Sequence, residues 1–232
     1  MEFRSVCVVG AGRVGRAVAA RLAAHVPTRT TGRELDVSGA DLVVVCVPDA
    51  AIAEVAGAIE PGPWVAHVSG ATPLAALDSH ERRFSVHPLQ TFTLDRGPEQ
   101  LDGAWAAVSG ESEDALAAAR NLATLLGLVP FELDDEERPI YHAAAAFASS
   151  FLVTLHEVAS ELMDAAGAPP EALDPLMRRT MQNGFRHTGP LVRGDWETVE
   201  RHRDVIRARR PQLLPLYDAL TETTATLLGA RR

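Results

Sequence analysis

The chain has 232 residues, 47 % of them hydrophobic, enough for one large core or two smaller ones. Its net charge of −9 is spread along the chain, with no basic block and no basic–aromatic interleaving, which argues against nucleic acid as a partner. All 22 basic residues are arginine, so Schiff-base chemistry and lysine acid–base chemistry are closed to it.

In chain order, residues 4–9 read as a buried strand and residues 13–24 as a helix with Val14, Val18 and Leu22 on its apolar side. A short element spans Pro27 to Arg33. Asp41 to Val47 is a nearly continuous apolar run, the pattern of a parallel strand covered on both faces. Pro48-Asp49 ends it, and a helix is expected over 50–59. Further strands are expected at 64–68, within 84–92, at 104–108 and at 128–133, with a helix over 111–126. After Asp134-Asp135-Glu136-Glu137 no strand pattern follows. One long helix is expected over 139–166, with Phe147, Phe151, Leu155, Val158 and Leu162 in one stripe, then shorter helices at 170–184, 195–209 and 211–228. The apolar runs are too short or too interrupted for a membrane span, and the chain opens directly on a strand pattern, leaving no room for a signal peptide. A cytoplasmic location is the expectation. Cys7 and Cys46, both in apolar strand patterns, read as reduced core residues.

Val6-Cys7-Val8-Val9 runs into Gly10-Ala11-Gly12-Arg13-Val14-Gly15, a strand turning through glycines into a helix. Gly10 permits the tight turn, Gly12 lets backbone approach a diphosphate, and Gly15 lets helix and strand pack closely. This predicts a dinucleotide site in an α/β, Rossmann-like, mostly parallel sheet over residues 1–134, followed by an all-helical domain over 135–232. An acid at the end of the second strand would favour NAD, but Thr28-Arg29-Thr30-Thr31-Gly32-Arg33 stands there. Arg29 and Arg33 could neutralise a ribose 2′-phosphate, which favours NADP over NAD, with solvated arginines and Glu34 on the ribose as the other reading. Val47, Pro48 and Asp49 end one strand on the ligand side, where Asp49 could instead cap the next helix. Ser69 and Gly70 end another and are candidate cofactor contacts, while His67 reads as buried in its strand.

His87, in Phe84-Ser85-Val86-His87-Pro88-Leu89-Gln90-Thr91, closes a further strand. With lysine absent, its imidazole is the first choice for supplying or relaying a proton, with oxyanion binding or loop support as alternatives. Gln90 could hydrogen-bond substrate or nicotinamide. His142, Ser149 and His156 are seven residues apart on one helix face, about 10 Å of rise per step, so they cannot share one metal ion. His142 is placed to reach a cleft. His187-Thr188-Gly189-Pro190-Leu191-Val192-Arg193-Gly194-Asp195 offers a hydroxyl at Thr188 and a cation at Arg193 for a substrate carboxylate or phosphate; a plain inter-helix connector is the alternative. Asp195 could orient Arg193 or cap the next helix.

From the glycine motif through Val47-Pro48-Asp49, His67-Val68-Ser69-Gly70-Ala71, His87-Pro88-Leu89-Gln90-Thr91-Phe92, Tyr141-His142-Ala143-Ala144 and Thr188–Asp195, the whole chain resembles Rossmann-like oxidoreductases with the C-terminal domain of unknown function 2520. It is also similar to pyrroline-5-carboxylate reductases, F420-dependent NADP oxidoreductases and non-standard ketopantoate reductases. The resemblance implies a homodimer paired through the helical domain, a reaction cleft near the domain junction, and a small carboxylate-bearing substrate such as a 2-keto acid. Two departures stand out: the segment from Ala24 to Asp41 is short for these families, and Ser150 stands where the long helix often carries asparagine. The expected function is NADP-dependent reduction of a small carboxylated ketone or imine, without a metal or membrane partner. The alternatives left open are a non-catalytic NADP-binding sensor or structural dimer, and an enzyme using F420.

Overall fold

Two apolar tetrapeptides, Val6–Val9 (β1) and Leu42–Val45 (β3), are buried along their whole length and lie side by side in parallel. Such strands must be covered on both faces. Val6, Val8, Leu42 and Val44 pack with Ala17, Val18 and Leu22 of helix α1 (Arg13–Leu22). Val9, Val43 and Val45 pack with Ile52 and Ala56 of helix α2 (Ile52–Gly57). The computed structural model describes residues 3–229. Adding Thr28–Thr31 (β2), Trp64–His67 (β4), Arg83–Pro88 (β5), Trp105–Ser109 (β6) and Val129–Glu132 (β7) gives one seven-stranded sheet in the order β2-β1-β3-β4-β5-β6-β7. The first five run parallel; β6 pairs antiparallel to β5, and β7 parallel to β6. The strand order reverses direction beside β1, with β2 on one side and β3 on the other. In open sheets of this kind that point, at the carboxyl ends of the strands, is where a ligand crevice forms.

The β2–β3 connection contains no helix. Leu35, Val37 and Ala40 lie on the α2 face of the sheet in place of one, and the Cys7 thiol faces the Asp36 carbonyl oxygen at 3.6 Å. Helix α3 (Glu113–Leu125) is capped by Ser112, whose hydroxyl accepts from the Ala115 N–H at 3.2 Å. Its alanine-rich face, with Leu122, is buried against the sheet.

The long helix expected over 139–166 is two helices, α4 (Arg138–Ala148) and α5 (Ser150–Ala166), broken at Ser149 with φ −124° and ψ −81°. The chain divides into a first unit ending at Ser149 and a second beginning at Ser150. The composition change at residue 134 marks the end of the sheet, but α4 stays with the sheet, because the Arg138 side chain at its start is 1 % exposed and hydrogen-bonds to sheet residues. By length and mean hydropathy (1.3 over its most apolar window) the stretch Asp135–Ala166 reaches the threshold of a membrane span. That likeness is one of length and composition alone, which core helices of soluble proteins share, and Ser149 divides the stretch into two helices.

The second unit adds α6 (Leu173–Gln182), the single turn α7 (Pro190–Arg193), α8 (Trp196–Arg209) and α9 (Leu214–Leu227). Arg203 on α8 makes a two-pronged ion pair with Asp218 on α9, at 2.7 and 3.0 Å. Among the described residues of this unit only Val199 and Ile206 are buried.

Candidate functional site

The carboxyl ends of β1, β3, β4 and β5 line up along one edge. Gly10 turns the chain off β1 with φ +108°, and a Cβ there would lie 2.4 Å from the Cys46 carbonyl oxygen. A Cβ on Gly15 would sit 2.0 Å from the Gly10 carbonyl oxygen, so α1 can close on the turn only without a side chain there. Gly12 is different. It forms the N-cap of α1, no side chain caps that helix, no acid lies in its first turn, and a Cβ on Gly12 would meet no protein atom within 4 Å. The first-turn N–H groups of α1, which no intrahelical carbonyl can satisfy, therefore open onto free space bordered by exposed Ala11, Gly12 and Arg13. Val14 turns inward and packs on the core. This cradle suits the diphosphate of a dinucleotide, held by backbone N–H groups and the positive end of the helix.

At the β2 end the two arginines separate. Arg29 donates to the carbonyls of Ser38 at 2.6 Å and Asp36 at 3.3 Å, folding the helix-free β2–β3 segment. Arg33 is exposed and has no ion pair among the described residues. At the β3 end, Cys46 is half-buried by surface, and its desolvation pushes the thiol up to about 12. Val47 is half-buried and packs on the α2-side core, and Pro48 is exposed. Pro48 takes the N-cap position of a short 3-10 turn, so Asp49 makes no side-chain cap; its carboxylate lies instead where its charge acts on His87.

At the ends of β4 and β5 the residues form a tight group. The Ser69 hydroxyl, expected to face cofactor, accepts from the Ala71 and Thr72 N–H groups at 3.2 and 3.0 Å and shapes its own turn. Gly70 makes room for imidazoles: a Cβ there would lie 2.8 Å from His87 Nε2 and 3.0 Å from His142 Cδ2. His87 Nδ1 is 2.7 Å from the Tyr141 hydroxyl. The His142 ring meets His87 edge-on at 6.3 Å between centroids, and Phe131 packs edge-on against Tyr141. Burial, with His142 and the Arg138 guanidinium close by, pushes the His87 pKa down to about 4, against a weaker opposing effect of Asp49. Burial likewise raises the Tyr141 hydroxyl to about 12. Near neutral pH both are therefore uncharged. His67 is fully buried, as its strand position suggested, and burial pushes it down to about 3.

Beneath this group lies a residue that the sequence reading passed over. Arg138 donates from Nε to Asp135, from Nη1 to the Ser69 carbonyl at 3.1 Å, and from Nη2 to the hydroxyls of Ser85 and Ser109. Asp135 in turn accepts from the Leu74 N–H. One guanidinium thus ties the turn after β4, strands β5 and β6, and the start of α4, which carries Tyr141 and His142. Asp135 and Arg138, three apart, were the available signal. Their partners, three serines scattered between residues 69 and 109, gave none.

In the second unit, Thr188 and Arg193 are both exposed, and Gly189 (φ +94°) and Gly194 (φ +67°) bracket the turn that carries Arg193. Asp195 is the cap of α8, accepting from the Thr198 N–H at 3.1 Å. His156 pairs with Asp174 at 3.2 Å.

Residues 104–224, just over half of the chain, match the family defined by a domain of unknown function, DUF2520. No curated protein matches the sequence. Among solved structures, a protein from Bacteroides fragilis described as a candidate NADP oxidoreductase is similar over 95 % of this chain and 97 % of its own, with 21 % identity and a TM-score of 0.78. A protein from Thermotoga maritima is similar over 97 % of this chain and 98 % of its own, at 24 % identity and TM-score 0.78. A 1-pyrroline-5-carboxylate reductase from Streptococcus pyogenes is similar over 97 % of both chains, at 12 % identity and TM-score 0.62. At these identities the likeness is one of fold, and that fold is the Rossmann-like sheet followed by helices described above. With its family match running from the last sheet strands into the final helix, the chain belongs to the DUF2520 family.

Proposed function

We propose that the chain is an oxidoreductase that binds a nicotinamide dinucleotide, NADP in preference to NAD, and reduces a small carboxylated ketone or imine. The observation that carries this reading is a juxtaposition on one sheet edge. An uncapped, glycine-built helix start follows β1, and a neutral His87–Tyr141 pair closes β5, three strands away. At the usual strand spacing that is about 14 Å along the edge. When bound, the dinucleotide supplies hydride. Gly10, Gly12 and Gly15 shape the seat for its diphosphate, Arg13 adds a cation beside it, and exposed Arg33 offers a cation to a 2′-phosphate. Arg29 supports that end indirectly, by fixing the β2–β3 segment.

His87 cannot act as a stored imidazolium, since its pKa of about 4 leaves it neutral. It acts instead as a relay. The proton on Nε2 passes to the substrate oxygen or nitrogen, Nδ1 takes the Tyr141 hydroxyl proton, and the half-buried phenol regains one from water. His142 and Gly70 fix the imidazole in place. An imine that arrives protonated bypasses the relay, so ketone reduction depends more on His87. Exposed Thr188 and Arg193 are the proposed contacts for the substrate carboxylate.

The test follows NADPH consumption over a panel of 2-keto acids and cyclic imines. His87→Gln and Tyr141→Phe are expected to lower kcat for the best ketone by about 100-fold or more while leaving NADPH affinity within about 2-fold. Arg193→Met is expected to raise KM. Binding of NADPH without oxidation across the panel would reduce the reading to a dinucleotide-binding protein. Unchanged turnover in His87→Gln would remove the relay.

A further inference from the structure

A second feature of α1 extends beyond the proposed dinucleotide seat, which uses only Arg13 of it. Arg13 and Arg16, with the small side chains of Ala17 and Ala20 beside them, line a hollow of about 230 Å3 whose other wall is formed by the segment around Arg96 and Gly97. Three guanidiniums line this space and no carboxylate does, in a chain whose net charge is −9. Arg13 and Arg16 are exposed and have no ion pair among the described residues. Arg96 has a long contact to Glu99, at 3.8 Å, whose carboxylate accepts from the Gly97 N–H at 2.9 Å, and its charge also acts on Asp95.

The wall opposite α1 is built, not loose. Gln100 is 4 % exposed and spends its whole amide on it. Its Oε1 accepts from the Thr93 N–H at 2.8 Å, and its Nε2 donates to the carbonyls of Arg96 and Gly97, each at 3.0 Å. Arg21, further along α1, donates to the Pro98 carbonyl at 2.8 Å and pairs with Asp102, fastening the two walls together. The cations are therefore carried on a frame fixed in advance, which lowers the ordering cost of binding.

Guanidinium groups match the oxygens of a phosphate with paired, charge-assisted hydrogen bonds. The volume lies below the range of pockets for drug-sized ligands, so it suits a phosphate with a short carbon skeleton. Arg13 borders both this hollow and the diphosphate seat, but the rest of the hollow lies further along α1. Arg16 and Ala20 lie four and eight residues beyond Gly12, about 6 and 12 Å along the helix axis. We propose that this hollow binds the phosphate group of a small phosphomonoester, a ligand distinct from the dinucleotide. It stands independently of the proposed reaction.

The test is calorimetric titration of the full chain with glycerol 3-phosphate and, separately, inorganic phosphate and NADPH. Three proteins are compared: wild type, the Arg16→Gln/Arg96→Gln double variant, and Gly12→Val. Both exchanged arginines are exposed, and thermal melts check that each variant is folded. The expected result is saturable phosphomonoester binding to wild type, weakened at least about 10-fold in the double variant, with NADPH affinity within about 2-fold. Gly12→Val is expected to keep phosphomonoester binding and lose NADPH. No binding of either phosphate probe to wild type at 20 mM (about the weakest affinity of interest), or equal binding in the double variant, overturns the proposal. Loss of the phosphomonoester in Gly12→Val would also overturn it, assigning the phosphate to the dinucleotide seat. If NADPH fails to bind wild type, the proposed reaction falls while the phosphate comparison is still read.

Discussion

A histidine serves as a stored acid only if its pKa lies near the working pH, and His87, at about 4, does not meet that condition. In the proposed reaction its neutral form, against the Tyr141 hydroxyl, is the one that acts. The consequence for stability has a definite sign. His87 and His67 (about 3) both titrate below the usual 6.5 in the folded chain. Between about pH 6.5 and pH 4 the unfolded chain therefore binds more protons, so stability is full above that window and falls as the pH drops through it. Each histidine contributes a slope of at most about 1.4 kcal/mol per pH unit. Urea unfolding measured from pH 7.5 to 4.5 should show this loss, with a shallower slope in His87→Gln. In NMR spectra the His87 ring protons should not shift between pH 5.5 and 8; a midpoint near 6.5 would contradict the buried, neutral assignment. His87 was legible in the sequence as an imidazole at a strand end. Its neutrality was not, because it comes from burial and from His142 and Arg138, 55 and 51 residues away, which reach it only once α4 folds onto β5.

At the scale of elements, the strand–glycine–helix unit could be read directly, since its apolar strand, its three glycines and its helix stripe all fall within one short stretch of sequence. The break between α4 and α5 could not: the apolar stripe continues across Ser149, and hydrophobic period alone gives no sign of a bend. Nor could the second role of Asp135-Glu136-Glu137-Arg138, an acidic stretch that looks like a domain border. There Arg138 turns inward, pairs with Asp135 and donates to serines on the sheet. Removing one partner of such a buried pair leaves the other charge and several polar groups without their donor, at a cost of about 3–5 kcal/mol. Arg138→Met should lower the unfolding free energy by about that amount in urea titration. Arg138→Lys should recover less than half, since an ammonium cannot serve three directions from one plane. A change below about 1 kcal/mol in Arg138→Met would show that the node carries little of the fold.

For the whole molecule, the two units are unequal. The first holds nearly all the buried side chains described; the second buries two, while Val153, Leu176, Val205 and Leu227 are among its exposed large hydrophobics. We propose that a second copy of the chain covers this helical layer, as the family resemblance implies. Sedimentation should then give a species of about 50 kDa, twice the 24.8 kDa chain, that persists at micromolar concentration. A monomer there would refute the pairing. The central claim is narrower and rests on the uncapped start of α1. Its most direct measurement is NADPH titration of wild type and Gly12→Val, with melting temperature as the control. Because a side chain at Gly12 meets no protein atom, the variant should melt within a few degrees of wild type yet bind NADPH at least about 10-fold more weakly. Equal affinity in the two proteins, or no binding to wild type, would contradict it.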